Sequence, residues 1–225
     1  MPEPLPINPP IVQVAVDALE TDRALRIAEA AVRAGVDWIE AGTPLITFQG
    51  VPVIGALASA FPGTPVLADF KMMDGVRKYV LATAEQGGRL ATICGVASDA
   101  SLAAAVVAGS ESGVRIVCDL YAAPDGPRRA REVVALGVDS AYIHWGADQR
   151  AARPDVDPLL YLEELAGELP VPLGVGTFSV EDGVRAARAG AEILVIGVPY
   201  ILEEDPEPSL RTYVQEAKAA WRSRR

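Results

Sequence analysis

Short apolar segments alternate with longer segments rich in alanine and leucine along the whole chain. The apolar segments lack the polar alternation of a half-solvated sheet, so they indicate strands covered on both faces, as in a parallel sheet. The segments between them have helical length, and such strand–helix–strand units are right-handed. Eight units predict a closed (β/α)8 barrel with strands at 11–17, 36–41, 65–70, 90–95, 114–119, 140–144, 171–176 and 192–197.

A glycine precedes four of these strands, at Gly35, Gly113, Gly137 and Gly190. Glycine there can take the left-handed conformation that ends a helix before the next strand begins. No linker interrupts this rhythm, so the sequence predicts one domain over residues 1–225, with residues 1–10 as an N-terminal extension. A doubly wound open sheet is the alternative fold, but it normally places phosphate-binding glycines after its first strand, and residues 17–20 contain none.

The composition disfavours nucleic acid and membranes as binding partners. Thirty acidic and 20 basic residues give a formal charge of −10, which repels nucleic acid and anionic membrane surfaces unless a basic patch offsets it. No such patch is found. No apolar run reaches the length of a membrane span, and residues 1–10 lack the cationic and apolar regions of a secretion signal. A cytoplasmic location is therefore expected.

The cysteine and histidine content favours a reducing cytoplasm and disfavours a zinc site. Cys94 and Cys118 lie in apolar segments predicted to be strands, where buried free thiols are more usual than a disulfide. Together with the only histidine, His144, they form no common zinc-ligand spacing.

Polar residues cluster where the predicted strands end. In a (β/α)8 barrel all these ends meet at one rim, where active sites are built. The residues at these positions are Asp17, Glu40 with Gly42 and Thr43, Asp69 with Lys71, Gly95, Asp119, His144, Gly176 and Gly197.

Lys71 is the most informative of them. It is one of only three lysines, and it lies between Asp69 and Asp74 in an otherwise apolar stretch. This pattern predicts a charged functional site. The structural alternative is a strand-end lysine that does no more than neutralise Asp69.

The acids of the rim suggest a cation. Asp17, Glu40, Asp69 and Asp119 would raise one another's pKa and cost stability unless a cation binds, and hard oxygen ligands favour Mg²⁺. The alternative is that hydrogen bonds and Lys71 alone balance them. His144 can exchange protons near neutral pH as a general acid or base, although a lone histidine can also be a packed residue.

With these residues assembled, the chain resembles the 3-hexulose-6-phosphate synthase and 3-keto-L-gulonate-6-phosphate decarboxylase group of the orotidine monophosphate decarboxylase superfamily. The resemblance spans nearly the whole chain. It is carried by residues 13–17, residues 39–46, the Asp-x-Lys-x-x-Asp motif at Asp69, Lys71 and Asp74, the pair Asp119 and Leu120, and His144 with Gly146 and Asp148.

The resemblance implies a homodimer of (β/α)8 barrels that acts on a sugar phosphate. In it, Glu40 and Asp69 would bind Mg²⁺ and Lys71 would stabilise an enediolate oxygen. The remaining assignments it implies are Asp74 reaching the partner's site, Asp17 and Asp119 holding substrate groups or Lys71, and His144 moving protons.

Aldol addition and decarboxylation share the enediolate, so the resemblance leaves both open. The decarboxylases usually carry arginine three residues after the histidine, and Ala147 here favours the aldolase, in which ribulose 5-phosphate adds to formaldehyde.

The phosphate end departs from the relatives' glycine pairs. The expected substrate contacts there are Gly176 and Thr177, then Gly197 and Val198, but Pro199 has no N–H to donate. A barrel that binds a sugar phosphate without turnover is therefore a further alternative.

Overall fold

The computed structural model of the chain describes residues 8–224. Most of the expected N-terminal extension, residues 1–7, lies outside them. Eight parallel strands, each paired with its neighbours in chain order, close into a barrel. The strands are β1 (Ile11–Val16), β2 (Trp38–Ala41), β3 (Val66–Met72), β4 (Leu90–Cys94), β5 (Arg115–Asp119), β6 (Ser140–Ile143), β7 (Leu173–Thr177) and β8 (Ile193–Ile196). The predicted fold class is confirmed.

Helices surround the barrel. The four glycines predicted to end helices all have positive φ, between 76° and 103°. No single helix within residues 8–224 is long and apolar enough to cross a membrane, and only the helices Thr43–Gln49 and Pro52–Ala60, bent by 115° at their junction, pass that test as a pair. The helices are α1 (Thr21–Ala34), α2 (Thr43–Gln49), α3 (Pro52–Ala60), α4 (Arg77–Glu85), α5 (Asp99–Ser112), α6 (Gly126–Ala135), α7 (Ala147–Ala152), α8 (Leu159–Leu165), α9 (Val180–Ala189), α10 (Glu207–Arg222) and a 3₁₀ turn (Tyr200–Leu202).

Two apolar layers hold the barrel together. The larger lies between the strands and the helices, where the inner faces of the helices pack. The smaller fills the barrel interior. Its buried members are Ile11, Trp38, Leu67, Leu90, Val117, Tyr142 and Ile193. Cys94 and Cys118 are buried and free, as predicted.

Strand β3 differs most from its prediction. It was expected to end at residue 70, but it continues to Met72, and its register against β4 shifts between Ala68 and Met72. Lys71 lies inside this irregularity with φ 47°, a left-handed conformation that costs a side-chain-bearing residue energy and is concentrated at functional sites. The lysine therefore belongs to the strand itself.

Strand β7 begins two residues later than predicted. The apolar segment spans 171–176, but Pro172 cannot donate to a strand ladder and the strand starts at Leu173. The shift leaves Gly176 and Thr177 at the carboxyl end of the strand.

Candidate active site

A cavity of about 530 Å³ opens at the carboxyl ends of the strands. A larger cavity of about 1270 Å³ lies at the opposite end of the barrel and contains none of the predicted site residues, so chemistry rather than size identifies the site. All the predicted site residues line the smaller cavity except Asp74, which is exposed in the loop between β3 and α4. The residues brought together are Asp17, Glu40, Asp69, Lys71, Asp119, His144, Gly176, Thr177, Gly197 and Val198.

The centre of the site is an ion pair between Lys71 Nζ and Asp69 Oδ2. Lys71 Nζ also lies 3.5 Å from Asp119 Oδ2 and donates to Thr43 Oγ1 at 3.1 Å. The Thr43 hydroxyl in turn donates to Asp69 Oδ2 at 2.6 Å, and the Thr92 hydroxyl donates to Asp69 Oδ1 at 2.7 Å. Both carboxylate oxygens of Asp69 are thus held in place.

Lys71 is a permanent positive charge in this arrangement. Burial alone would lower the pKa of its ammonium group, but the Asp69, Asp119 and Glu40 carboxylates outweigh burial and raise the pKa above its ordinary value. Its backbone is fixed as well, since its N–H donates to Thr92 Oγ1 at 2.9 Å. Lys71 therefore suits electrostatic stabilisation and not proton abstraction.

Asp119 holds His144 in place. The two Asp119 oxygens lie 3.0 and 2.9 Å from His144 Nδ1, and the N–H of Tyr121 donates to Asp119 Oδ1 at 2.9 Å. Burial would raise the pKa of Asp119, but hydrogen bonding and charge from His144, with Lys71 and the Tyr121 N–H, lower it overall. The ionised carboxylate orients the imidazole through Nδ1 and leaves Nε2 for proton exchange.

Glu40 and Asp17 carry the unfavourable charge of the site. Burial, followed by the Asp69 and Asp17 carboxylates, raises the pKa of Glu40 well above its usual range. Burial, followed by Asp69, also raises the pKa of Asp17. A Cβ at Gly42 would lie 2.0 Å from Asp17 Oδ1 and 2.9 Å from the Val16 carbonyl oxygen, so a glycine makes room for this carboxylate.

The donor set fits Mg²⁺. Within residues 8–224 no three histidine, cysteine, aspartate or glutamate side chains form a complete metal-binding group. Mg²⁺ does not need one, since it commonly takes one or two carboxylates and completes its shell with substrate oxygens and water. Glu40 and Asp69 supply two such carboxylates on the cavity wall. The raised pKa of Glu40 reflects its burial and then the neighbouring carboxylates, and a bound cation would offset both.

The end of the cavity beside β7 and β8 has open space. A Cβ at Gly176 would meet no atom within 4 Å, whereas one at Gly197 would lie 3.1 Å from the Ala15 carbonyl oxygen. The Thr177 hydroxyl is already used, because it donates to the Val195 carbonyl oxygen at 2.9 Å and lies 2.6 Å from Tyr213 Oη. The Thr177 hydroxyl proton is therefore not free to donate to a ligand.

Sequence analysis missed several polar residues of the site. Gln13 and Thr92 are buried polar residues within otherwise apolar strands, and such groups need hydrogen-bond partners. That requirement was the signal that could have found them. Tyr142 looked like an ordinary strand residue, two positions before His144.

A closed barrel with an ammonium group, buried carboxylates and an imidazole at its carboxyl rim defines an enzyme of the (β/α)8 class. Residues 10–170 match the model of the Orotidine 5'-phosphate decarboxylase / HUMPS family, and the chain belongs to this family.

Individual relatives refine this placement. The chain is 39% identical over 202 residues to 3-hexulose-6-phosphate synthase of Mycobacterium gastri, a match that covers 86% of the chain and 93% of the relative. A solved 3-hexulose-6-phosphate synthase is similar with a TM-score of 0.84 and 35% identity, over 93% of this chain and 99% of that one.

The 3-keto-L-gulonate-6-phosphate decarboxylase of Vibrio cholerae has a TM-score of 0.83 over 95% of this chain and 100% of that one, but 22% identity, so it shows the fold alone. The chain is an enzyme of the lyase class.

Proposed function

We propose that the chain is a Mg²⁺-dependent aldolase that joins ribulose 5-phosphate to formaldehyde through an enediolate. The observation that carries this proposal is the convergence of Lys71, the Glu40 and Asp69 carboxylates and His144 on one cavity. The names of the relatives of 34–39% identity support the synthase over the decarboxylase. Ala147, at the position where the decarboxylases carry arginine, also lines the cavity.

The reaction needs one proton removed and one returned. Ribulose 5-phosphate loses a proton from C1 to give the enediolate, and C1 then attacks the formaldehyde carbon. The new carbon–carbon bond leaves an alkoxide that takes up a proton. Nε2 of His144 is the group positioned to move these protons, because Asp119 holds the ring through Nδ1.

Charge stabilisation falls to the residues around Lys71. Its ammonium group, held against Asp69 and Asp119, would face the oxygen on which negative charge develops. Glu40 and Asp69 would hold Mg²⁺, which supplies Lewis-acid stabilisation of the same developing charge. Thr43 and Thr92 keep Asp69 in the orientation that both tasks need.

The phosphate would lie at the β7–β8 end of the cavity. The open space at Gly176 allows a close approach of the ligand to the main chain. The loops after the seventh and eighth strands are where barrel enzymes commonly bind phosphate. Because Pro199 has no N–H, the main-chain donors would come from the β7 loop and from Gly197 and Val198.

A second copy of the chain would complete the site. Phe48, Met73 and Val96 are exposed apolar side chains on the segments that follow β2, β3 and β4. They lie at the same rim as Asp74, which is exposed and outside the cavity of its own barrel. In the proposed homodimer this surface is covered and Asp74 enters the partner's site.

The test measures each step separately. Purified enzyme with ribulose 5-phosphate in D₂O and Mg²⁺ should exchange the C1 proton without formaldehyde, and adding ¹³C-formaldehyde should give a labelled six-carbon ketose phosphate. Chelation of Mg²⁺ should stop both. Release of CO₂ from 3-keto-L-gulonate 6-phosphate would favour the decarboxylase instead. Tight calorimetric binding of sugar phosphates without exchange or product would identify a binding protein.

A glycine pair tests the phosphate position. Gly176→Ala adds a methyl group into open space at the cavity, and Gly63→Ala adds one into open space outside it. We expect the first to raise the KM for ribulose 5-phosphate about tenfold and the second to leave it unchanged. Equal KM values would refute the placement of the phosphate.

A further inference from the structure

A line of buried hydrogen bonds crosses the interior of the barrel and ends at Glu40. Tyr142, on β6, donates from its hydroxyl to Gln13 Oε1 at 2.8 Å. Gln13, on β1, donates from Nε2 to Glu40 Oε2 at 2.5 Å. Gln13 is 0% exposed, Tyr142 6% and Glu40 8%, so water does not compete for these bonds.

The chemistry of the three groups fixes the donor-to-acceptor direction of these hydrogen bonds. A glutamine amide has one end that donates and one that accepts, and an ionised carboxylate only accepts. By donating to Oε1, the Tyr142 hydroxyl turns the Nε2 end of Gln13 toward Glu40. Without that hydroxyl the amide could turn over and present an acceptor to an acceptor, which would push the carboxylate out of its position.

The barrel makes room for this tyrosine. Gly174, on β7, pairs directly with Tyr142 in the strand register. A Cβ at Gly174 would lie 2.4 and 2.6 Å from two ring carbons of Tyr142, which no real contact allows. A glycine at this position in the strand therefore has a steric reason, which is to seat the ring so that its hydroxyl reaches Gln13.

We propose that Tyr142 and Gln13 are positioning residues that hold the Glu40 carboxylate in the orientation needed to bind Mg²⁺ and substrate. The proposal rests on the proposed function, in which Glu40 is a metal ligand. Partners of this kind orient a ligand without touching the metal, and their loss commonly weakens metal binding 10- to 100-fold.

The experiment measures Mg²⁺ affinity by calorimetry, well below the melting temperature. Tyr142→Phe and Gln13→Leu should each weaken Mg²⁺ binding at least about tenfold. Tyr161→Phe, which removes a tyrosine hydroxyl in α8 outside this network, should bind Mg²⁺ like the unaltered chain. Because Tyr142 acts through Gln13, the double variant should bind no more weakly than Gln13→Leu alone.

Thermal unfolding gives a second signature. Gln13→Leu leaves the Tyr142 hydroxyl buried without its acceptor, so adding Tyr142→Phe should recover part of the lost melting temperature. Unaltered Mg²⁺ affinity in Tyr142→Phe, or fully additive losses of affinity in the double variant, would overturn the proposal.

The two proposals fail in different ways. If the unaltered chain binds no Mg²⁺, the metal part of the proposed function fails. The positioning role of Tyr142 and Gln13 is then decided by the free energy of unfolding alone. If the effects of Tyr142→Phe and Glu40→Gln on this free energy are coupled, and the coupling disappears in a Gln13→Leu background, the positioning role is supported. Additive effects of Tyr142→Phe and Glu40→Gln refute it.

Discussion

The replacement of Lys71 by methionine tests the electrostatics of the site most directly. Methionine keeps the Cβ and much of the length of lysine, so the backbone cost at positive φ is unchanged while the charge is lost. The side chain of Lys71 is 27% exposed, but those of its partners Asp69 and Asp119 are 6% and 5% exposed. Removing the ammonium group therefore leaves two nearly buried carboxylates without their cation.

The size of the effect follows from this burial. Two unit charges 3.5 Å apart, as in the Lys71–Asp119 pair, attract by about 5 kcal/mol at an effective dielectric constant of about 20. Desolvation of the lysine offsets part of this, so we expect Lys71→Met to lower the free energy of unfolding by about 3 kcal/mol. For a chain of this size that corresponds to a fall in Tm of about 9 °C.

Lys218→Met is the matched control. Lys218 is 25% exposed and pairs with Asp37 at 2.8 Å, but Asp37 is 30% exposed and the pair lies at the other end of the barrel. We expect a loss of about 1 kcal/mol and about 3 °C. In the aldol assay kcat should fall about 10²- to 10³-fold for Lys71→Met and stay unchanged for the control.

The pH dependence of stability tests the sign of this electrostatic effect. In the unaltered chain His144 and Lys71 hold the pKa of Asp119 below its ordinary value, so Asp119 contributes stability above pH 4 that is lost as the pH falls through the folded pKa. Lys71→Met removes one of the charges that lower this pKa, so Asp119 in the variant ionises at a higher pH and costs the variant stability as it does so. The stability gap between Lys71→Met and the unaltered chain should therefore be largest at pH 7.5 and narrow toward pH 4. Chemical denaturation at both pH values, without divalent ions, measures it. Equal losses for both lysine variants, or a gap independent of pH, would refute the reasoning.

Two further substitutions test the acids of the site. Glu40→Gln keeps an acceptor for Gln13 but removes a carboxylate whose pKa is raised in the folded state, so its charge costs stability only above about pH 4.5. Without metal, the variant should therefore be about 1 kcal/mol more stable than the unaltered chain at pH 8 and equally stable at pH 4. Mg²⁺ should no longer raise the Tm of the variant. Lower stability at pH 8 in denaturant titrations would contradict this. Gly42→Ala places a methyl group 2.0 Å from Asp17 Oδ1; it should cost about 2 kcal/mol and at least tenfold in kcat/KM, while Gly63→Ala changes neither. Full activity of Gly42→Ala would show that Asp17 is free to move.

Much of the architecture could be predicted because each strand is a predominantly apolar run without polar alternation. The site could be predicted because all strand ends meet at one rim, so Glu40, Asp69, Asp119 and His144 had to lie together once the barrel was recognised. Sequence pattern did not show that Lys71 lies within β3 at positive φ, since local backbone geometry has no apolar signature.

The interior network was also outside the reach of sequence pattern. Whether Gln13 and Tyr142 meet depends on the stagger of β1 and β6 across the barrel, which pattern alone does not give. The role of Asp74 depends on a second molecule and stays a prediction.

The fit between Gly174 and Tyr142 limits how this cavity can be redesigned. A larger residue at 174 requires a smaller one at 142, and that exchange removes the hydroxyl on which the orientation of Gln13 depends. Libraries that vary position 174 alone would therefore recover mostly variants with a displaced Tyr142 ring, and useful diversity at these two positions must be introduced in linked pairs.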